Sequence, residues 1–434
     1  EVTFGVPGQR ARFDVVLWVN GFPLVVGELK TAVNQRVSWA TAAREIAEHY
    51  EVTYPEFFVP GVFSFATEGK ELTCAATGTP VEHWEPWGPA QDSPRLANVL
   101  EAAQDLLAPA TVLDLLADFT LFETAEDDNS PPLVKLVARY MQYEAVSLMH
   151  QRVRSGNSKR GLIYHTQGSG KTLAMVFAAG KFLQEPALAN PTVILIADRV
   201  QLVRQVWDQF RTTGMSRLHA PRTSSELQAM IGQKDQRGLI FSTVHKFAGA
   251  PLLSERENIV VLVDEAHRTQ EGNLGVAMRQ ALPNAVFFGF SGTPLADLDR
   301  NTFETFGDPN DEGKVLHTYD SDQSIADGMT VPIHVAPRMV EFDLDTEMLD
   351  EAFAELSETE GLDEEAAETL SRRASRVSTF FSNRERVRAV CADIIEHFYS
   401  TVDPLGMKAQ IVVYDRSACV AYHEELTTLL QQRH

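Results

Sequence analysis

The sequence predicts an α/β fold, and two patterns carry that prediction. From residue 133 onward, short apolar runs alternate with helical segments, as in a parallel sheet that helices cover on both faces. Ahead of them, residues 12–30 read as two strands around Asn20-Gly21, a dipeptide that strongly favours a tight hairpin turn. We therefore expect a hairpin-containing domain first and a parallel-sheet domain after it.

The other elements follow in chain order. After the hairpin we predict a helix, a strand-like run, a long Pro- and Gly-rich loop, a second helical region and a linker: Trp39–Tyr50, Phe57–Ala66, Thr77–Pro94, Arg95–Asp118 and Asp127–Pro132. A predicted helix, Leu133–Val153, then leads into five strands: Gly161–His165, Thr192–Ala197, Gly238–Thr243, Ile259–Asp264 and Ala285–Ser291. A further strand and helix are predicted at Lys408–Tyr414 and Ala418–Leu430.

The length of 434 residues is enough for about three domains of roughly 150 residues each. We place the first domain at residues 1–126 and the second at residues 127–335. The third, residues 336–434, would combine an acidic helical insertion with the beginning of a second parallel-sheet unit. Because Glu1 is not a Met and leads almost directly into a strand, we expect the chain to start inside a longer protein.

The composition is that of a globular protein, with 44% apolar and 23% charged residues. Its three cysteines are far apart and form no CxxC pair, which argues against a disulfide framework or zinc site and favours a reducing cytoplasm. No apolar run approaches the roughly 20 residues that span a bilayer, so no membrane partner is expected. The net charge of −22 argues weakly against nucleic acid, but it is uneven: acidic residues crowd 341–370, and arginines recur between 199 and 222.

A phosphate-binding loop is predicted at His165–Thr172 (HTQGSGKT), where a strand meets a helix. Its glycines let backbone N–H groups approach a phosphate, and the helix N-terminus adds its positive dipole end. Lys171 would reach the β- and γ-phosphates of ATP, and Thr172 would hold Mg²⁺ through its hydroxyl. His165 stands where the general pattern has its first Gly. The residues assigned to this ATP site are Thr166, Gln167, Gly168, Ser169, Gly170, Lys171 and Thr172.

A second nucleotide motif, Asp264–His267 (DEAH), ends a strand made of apolar residues. Asp264 would hold Mg²⁺, and Glu265 would orient or deprotonate the attacking water. Such a pair alone could be a helix cap, but the upstream Lys171-Thr172 makes ATP hydrolysis the better interpretation. Ser291–Pro294 (SGTP) follows the next strand and resembles the coupling motif of superfamily 2 helicases and translocases.

Three further segments fit that order of motifs. Gln142 lies just upstream of the phosphate loop, where this superfamily has a glutamine that reads the adenine edge. Residues 198–205 and Thr243–Phe247 each follow a predicted strand, where such motors grip the DNA backbone. Taken singly, each could be ordinary surface sequence.

The hairpin carries a second cluster of charged residues. A turn at Asn20-Gly21 sets Asp14 opposite residue 27 or 28, so Asp14 and Glu28 would be cross-strand neighbours. Glu28 and Lys30 are two apart and share a face. Two acids so placed repel each other unless a cation or proton intervenes, and Lys30 could position water or stabilise a developing phosphorane. The cluster therefore predicts a Mg²⁺-dependent phosphodiesterase, with Gly27 leaving room for close approach.

Taken together, these motifs resemble the restriction (R) subunit of Type I restriction enzymes along nearly the whole chain. The hairpin is similar to that family's PD-(D/E)xK nuclease core, and residues 165–172 have its form of the phosphate loop, with His first. Phe290–Pro294, Ile325–Gly328 and Asp264–Arg268 also resemble family motifs. The resemblance implies a nuclease-like domain followed by a RecA-like motor and the start of a second one, beginning near Tyr414–Arg416. It implies an ATP-dependent endonuclease that translocates and cleaves double-stranded DNA, with ATP and Mg²⁺ as cofactors and methyltransferase (M) and specificity (S) subunits as partners.

The sequence also departs from that family. A Gln is usual four residues before the Tyr that corresponds to Tyr50, but Ile46 stands there, with Glu45 beside it. The late motor motifs, including the arginine fingers that complete ATP hydrolysis, are not in the sequence, and an upstream acid of the metal site is expected before Glu1. Two other functions remain open: a helicase or remodelling ATPase with an inert nuclease-like hairpin, and a module that binds nucleotide without turning it over.

Overall fold

The structure is a computed structural model of the chain. It describes residues 2–6, 9–31, 33, 36–90, 95–123, 133–197, 203, 207–208, 210–211, 217–233, 236–266, 274–293, 300–338 and 383–433. The chain divides into two compact units, residues 1–332 and residues 333–434. The predicted linker at 127–132 and the acidic stretch 341–370 lie outside the described residues.

A five-stranded mixed sheet lies at the N-terminal end of the first unit, in the order β3-β4-β5-β6-β7. Its strands are Val15–Val19, Phe22–Leu29, Phe63–Thr67, Leu72–Ala76 and Glu85–Pro86. β4 pairs parallel with β5, and the other neighbours are antiparallel. Asn20 and Gly21 have φ values of 50° and 86°, the left-handed conformation that a two-residue type I′ hairpin turn requires at both positions. The predicted hairpin is confirmed, and a second one, β1 (Val2–Val6) with β2 (Gln9–Phe13), precedes it.

Short helices cover one face of this sheet: α1 (Trp39–Arg44), the π-helical turn Glu45–Tyr50, α2 (Glu51–Thr53) and α3 (Pro55–Phe58). The predicted strand-like run 57–66 is wrong in its first part, because Pro55 begins a helix and the strand starts only at Phe63. Phe57 stacks on the buried ring of Phe13, with ring centroids 4.6 Å apart. A 3₁₀ turn, Val81–His83, and β7 interrupt the predicted loop.

The predicted helical region 95–118 consists of two helices, α4 (Leu96–Leu106) and α5 (Pro109–Asp118), with Pro109 starting the second. The next prediction, a helix from Leu133, is wrong at its start. Residues Val134–Val137 form β9, which pairs antiparallel with β8 (Thr120–Glu123), and α6 covers only Tyr140–Ser155. The β-branched valines find a neighbouring strand there, and that pairing overrides the helical pattern.

A seven-stranded, all-parallel sheet forms the rest of the first unit, in the order β12-β13-β11-β14-β15-β10-β16. The five predicted strands are present to within a residue, as β10 (Arg160–His165), β11 (Thr192–Ala197), β13 (Gly238–Thr243), β14 (Ile259–Val263) and β15 (Val286–Ser291). Two short edge strands, β12 (Leu218–His219) and β16 (His317–Tyr319), were not predicted. Apolar side chains of these strands are buried on both faces, and the α/β class is confirmed.

The connections between these strands are mainly helical. They are α7 (Lys171–Gln184), Ser224–Gly232, Leu274–Ala281 and Arg300–Phe306, with 3₁₀ turns at Pro186–Leu188, Val244–Phe247 and Glu312–Lys314, and a further helix, Ser321–Ala326, follows β16. Because every pairing in the sheet is parallel, the carboxyl ends of the strands meet at one edge. Ligands of open parallel sheets bind at that edge.

In the second unit, helices Arg384–His397 and Arg416–Arg433 pack against each other through Val387, Cys391, Ala418 and Tyr422. A π turn (Phe398–Val402) and a 3₁₀ turn (Asp403–Leu405) follow the first helix directly. The predicted strand 408–414 is wrong, although the predicted helix after it is present. No strand is found in the described part of this unit for the run to pair with, and Val412 is 83% exposed. Among the described residues, no helix is long and apolar enough to cross a membrane.

Candidate functional sites

The predicted phosphate loop connects β10 to the N-terminus of α7 at the carboxyl edge of the parallel sheet. Gly168 and Gly170 both have φ of 83°, a left-handed conformation that residues with a Cβ rarely adopt. The Ser169 hydroxyl donates to the Thr166 carbonyl at 2.7 Å and closes the loop on itself. The loop therefore has the backbone geometry of a phosphate cradle at a helix N-terminus.

Lys171 lies at the first position of α7, and its ammonium group is held by the loop. Its Nζ donates to the carbonyls of His165 at 3.1 Å and Thr166 at 3.3 Å. Burial lowers the pKa of Lys171, against the opposing charges of Glu265 and Asp264. The two predicted nucleotide motifs therefore act on each other electrostatically.

Asp264 and Glu265 follow the end of β14, two strands away from β10 in the sheet. Burial, helped by the neighbouring charge of Glu265, raises the pKa of Asp264 to about 6. Asp264 Oδ1 accepts from the Glu265 N–H at 3.0 Å, and Glu265 has the unusual φ of 49°. A Cβ on Gly292, just after β15, would lie 2.6 Å from Lys171 Nζ, so the predicted coupling motif touches the phosphate loop.

Gln142 is fully buried at the beginning of α6, and its amide joins that helix to the phosphate loop. Its Oε1 accepts from the Arg139 N–H at 3.0 Å, and its Nε2 donates to the Gly170 carbonyl at 3.1 Å. Because Gly170 precedes Lys171, the glutamine fixes the loop directly.

His165 is also completely buried, and its ring points toward β16 instead of the phosphate cradle. Its Nε2 lies 2.8 Å from Nδ1 of His317, whose Nε2 lies 3.2 Å from Glu144 Oε2. Burial, with the charges of His317 and Lys171, lowers the pKa of His165 well below its ordinary value. The histidine thus fastens the beginning of the loop to the edge strand.

Several predicted motif residues lie outside the described residues, namely His267, Arg268, Pro294, and residues 198–202 and 204–206. Of the other predicted DNA-contacting segment, Val244 and Phe247 are buried, and Lys246 Nζ donates to the Pro221 carbonyl at 2.6 Å. His245 between them is exposed.

At the N-terminal sheet, the open end of the β3–β4 hairpin brings the predicted acids and lysine together. Asp14 Oδ2 accepts from the Leu29 N–H at 3.0 Å, and the charge of Asp14 contributes to the raised pKa of Glu28. Lys30 Nζ lies 2.7 Å from Glu28 Oε1. A register shift between Leu17 and Trp18 sets this alignment. Leu17 pairs with Val25 but Trp18 pairs with Pro23, so β4 has one extra residue, Leu24, and the register beyond it sets Asp14 opposite Glu28.

Glu28 is 4% exposed, and burial raises its pKa to about 7 even though Lys30 opposes the shift. Its Oε2 is buried and has no hydrogen-bond partner among the described residues. A carboxylate oxygen left without a donor beside a second carboxylate, that of Asp14, fits the oxygen ligands that Mg²⁺ prefers. Within the described part of the chain, no group of three or more His, Cys, Asp or Glu residues could hold a metal ion.

The expected role of Gly27 needs correcting. The space beside it is filled: a Cβ at Gly27 would lie 2.1 Å from Cζ of Phe65 on the neighbouring strand β5. Residues 27 and 28 point to opposite faces of the strand, so the glycine accommodates the core while Glu28 faces the charged cluster.

Sequence reasoning missed one member of this cluster. Glu45 Oε2 lies 2.5 Å from Lys30 Nζ, and Glu45 Oε1 accepts from the Tyr50 hydroxyl at 2.8 Å. The only signal in the sequence was an acid one position away from the expected glutamine. That acid could have been assigned to the cluster only by allowing for a π-helical turn between Glu45 and Tyr50.

Comparisons with known proteins match two different parts of the chain to two families. The family described as SWI2/SNF2 ATPase matches residues 141–368, and the family described as Type I restriction enzyme R protein N terminus matches residues 1–82. The chain is 31% identical to the Type I restriction enzyme HindI endonuclease subunit of Haemophilus influenzae, over 98% of this chain and 42% of that protein. It is 28% identical to a Methanocaldococcus jannaschii protein assigned as the MjaIXP endonuclease subunit, over 97% of this chain and 42% of that protein.

The chain thus spans about two fifths of the length of these curated relatives, since it covers 42% of each. Among solved structures, it is similar to a fragment assigned to the HsdR subunit of a type I restriction enzyme from Vibrio vulnificus. The match covers 98% of this chain and 67% of that one, with 19% identity and a TM-score of 0.44.

Proposed function

The chain belongs to the SWI2/SNF2 ATPase family and carries the N terminus of a Type I restriction enzyme R protein ahead of that motor, and from this premise we propose that it is the restriction and translocation part of such an enzyme. It would use ATP to translocate duplex DNA and a Mg²⁺-dependent nuclease site to cleave it. In the cytoplasm it would work with M and S subunits. The observation that carries the proposal is the presence, in one compact unit, of two separate clusters in which a lysine faces carboxylates.

In the ATP site, the loop N–H groups and Lys171 would bind the phosphates, and Gln142, buried with both ends of its amide hydrogen-bonded, would hold the loop in place for them. Thr172 and Asp264 would hold Mg²⁺, which neutralises charge on the phosphates. Glu265 would orient the attacking water. Gly292 lies against the ammonium group of Lys171, so a shift of that group when the γ-phosphate is hydrolysed would be transmitted to β15.

In the nuclease site, Asp14 and Glu28 would hold a second Mg²⁺, which supplies Lewis acidity and an activated water when bound. The raised pKa of Glu28 supports this role, because a cation would replace the proton that otherwise relieves its burial. Lys30 would face the scissile phosphate.

The test is a pair of variants in the full-length protein, assembled with its M and S subunits. Asp14→Ala should abolish DNA cleavage but leave ATPase activity and translocation at the wild-type level. Lys171→Ala should abolish ATPase activity, translocation and, because cleavage follows translocation, cleavage too. Cleavage that persists at the wild-type rate in Lys171→Ala would refute the coupled motor.

A helicase or remodelling ATPase with an inert hairpin is the second candidate. The observation that favours it is that Lys30 is already neutralised by two carboxylates, Glu28 and Glu45. Two outcomes would decide for it, each with ATPase activity intact: no DNA cleavage by the wild type, or cleavage that Asp14→Ala leaves unchanged.

A further inference from the structure

We infer that Glu45 is a positioning residue of the nuclease-like site, holding the Lys30 ammonium group beside Glu28 and being held in turn by Tyr50. The inference rests on the proposed nuclease function and adds to it a positioning residue and the π-helical turn that places that residue. Its starting point is a chain of short contacts: 2.7 Å from Lys30 Nζ to Glu28, 2.5 Å from Lys30 Nζ to Glu45, and 2.8 Å from the Tyr50 hydroxyl to Glu45.

The two oxygens of Glu45 have separate tasks. Oε2 faces Lys30 and Oε1 accepts from Tyr50, so the carboxylate cannot rotate without losing one partner. Tyr50 is itself fixed: it is 6% exposed, its ring packs edge-on against Phe13, and its hydroxyl also lies 3.4 Å from the Arg12 carbonyl. The position of the Lys30 ammonium group therefore depends, through Glu45, on a tyrosine that is fixed in the protein core.

The π-helical turn is what makes this arrangement possible. Glu45 and Tyr50 are five residues apart, a spacing that puts two side chains on different faces of an α-helix. In the turn Glu45–Tyr50 the helix widens, and at its end the Glu51 N–H bonds to the Ile46 carbonyl, five residues back. Residues five apart then share a face, and Ile46, which α-helical spacing would aim at the site, is buried in the apolar core.

Stability alone gives a poor account of these contacts. The Glu45 side chain is 37% exposed and that of Lys30 is 21% exposed, and ion pairs near the surface contribute little to stability. The contacts instead determine where the Lys30 ammonium group lies. With Glu28 as its sole partner, a flexible lysine side chain could fold over that carboxylate, including its unpartnered Oε2. Glu45 draws the ammonium group to one side and leaves Oε2 open for a cation.

The experiment compares Glu45→Ala, Glu45→Gln and Tyr50→Phe with Glu48→Gln, an exposed acid in the same turn, as the matched control. In the chain alone, the acylation rate of Lys30 by an amine-reactive acetylating reagent is read by mass spectrometry. Glu45→Ala should raise that rate several-fold, Glu45→Gln and Tyr50→Phe should raise it less, and Glu48→Gln should leave it unchanged. An unchanged rate in Glu45→Ala overturns the inference.

In the assembled full-length enzyme, Glu45→Ala should lower the kcat of cleavage about tenfold and raise the Mg²⁺ concentration for half-maximal cleavage, because the ammonium group then competes for Glu28 Oε2, while ATPase activity stays at the wild-type value. Cleavage equal to that of Glu48→Gln overturns the positioning role. So does loss of Mn²⁺ binding, measured by calorimetry, to the extent seen in Asp14→Ala, since Glu45 would then be a metal ligand. If the wild type does not cleave at all, the proposed nuclease function fails, while the acylation rates still decide whether Glu45 positions Lys30.

Discussion

Asp327 links the N-terminal sheet to the seven-stranded parallel sheet. Replacing it should separate the contribution of its charge to stability from that of its hydrogen bonds. Asp327 is 8% exposed and accepts four hydrogen bonds. Its Oδ1 takes the Ala90 N–H at 2.8 Å and Gln323 Nε2 at 2.6 Å, and its Oδ2 takes the hydroxyls of Tyr140 at 2.6 Å and Tyr319 at 2.9 Å. Ala90 follows β7 of the N-terminal sheet, whereas Tyr140 begins α6 and Tyr319 ends β16 of the parallel sheet.

The four donors predict different costs for two substitutions. In Asp327→Asn, the amide oxygen can serve the two N–H donors, and the NH₂ group can donate to tyrosine hydroxyls, which also accept. The charge assistance is lost and the two hydroxyl protons must turn to other acceptors, at a total of about 1–2 kcal/mol. Asp327→Ala leaves several donors without an acceptor at about 1–3 kcal/mol each, and a total of about 4 kcal/mol is expected after the surface-facing donors turn to water.

The assay is urea unfolding of the chain, followed by the fluorescence of its buried tryptophans Trp84 and Trp87. The control is Asp320→Asn on the same helix, where an exposed aspartate caps Gln323 N–H at 2.8 Å, and it should change stability by no more than about 0.5 kcal/mol because Asn caps as well as Asp. Equal losses in Asp327→Asn and Asp327→Ala, or a loss below about 1 kcal/mol in Asp327→Ala, would refute this reasoning.

Two further outcomes follow from packing and from charge burial. Gly27→Ala should lower stability by about 1–3 kcal/mol in thermal unfolding, because its Cβ would lie 2.1 Å from the Phe65 ring; adding Phe65→Leu should recover part of the loss, and a neutral Gly27→Ala would contradict the clash. Burial, against the charge of Arg139, raises the pKa of Glu85 from 4.5 to about 7, so its contribution is fully present below pH 4.5 and is lost as pH rises to 7. Glu85→Gln should therefore flatten the decline of stability across that window by at most about 3 kcal/mol, and an unchanged slope would count against it.

The sequence predicted the central strands well because each is a short apolar run, buried on both faces and bounded by turn residues. Local pattern and tertiary setting agree there, as in Thr192–Ala197. They disagree at Val134–Val137, where pairing with the upstream strand Thr120–Glu123 turns a helical pattern into a strand. At residues 408–414 the pattern is present but a partner strand is not found among the described residues, and an apolar run alone does not make a strand.

Site residues were predictable where spacing is fixed by regular geometry. The phosphate loop and the hairpin both have such spacing, since a type I′ turn sets Asp14 opposite residue 27 or 28, and the register shift within the hairpin then selects Glu28. Glu45 was not predictable in this way, because α-helical spacing assigns its place to Ile46. Only the π-helical turn, which depends on packing of the helix against the sheet, moves Glu45 into the site.

The two lysines at the candidate sites differ in how firmly they are held, and this sets the order of binding at each site. Lys171 donates to two neutral carbonyls of its own loop, which it can exchange for a phosphate at little cost. Lys30 lies between two carboxylates, and hydrogen bonds to them outweigh burial and raise its pKa. A phosphate approaching Lys30 would meet the charges of Glu28 and Glu45 as well. On the proposed function, we therefore expect a cation to bind Asp14 and Glu28 before DNA does, since its charge offsets that of the carboxylates and leaves the ammonium group free to turn toward the phosphate.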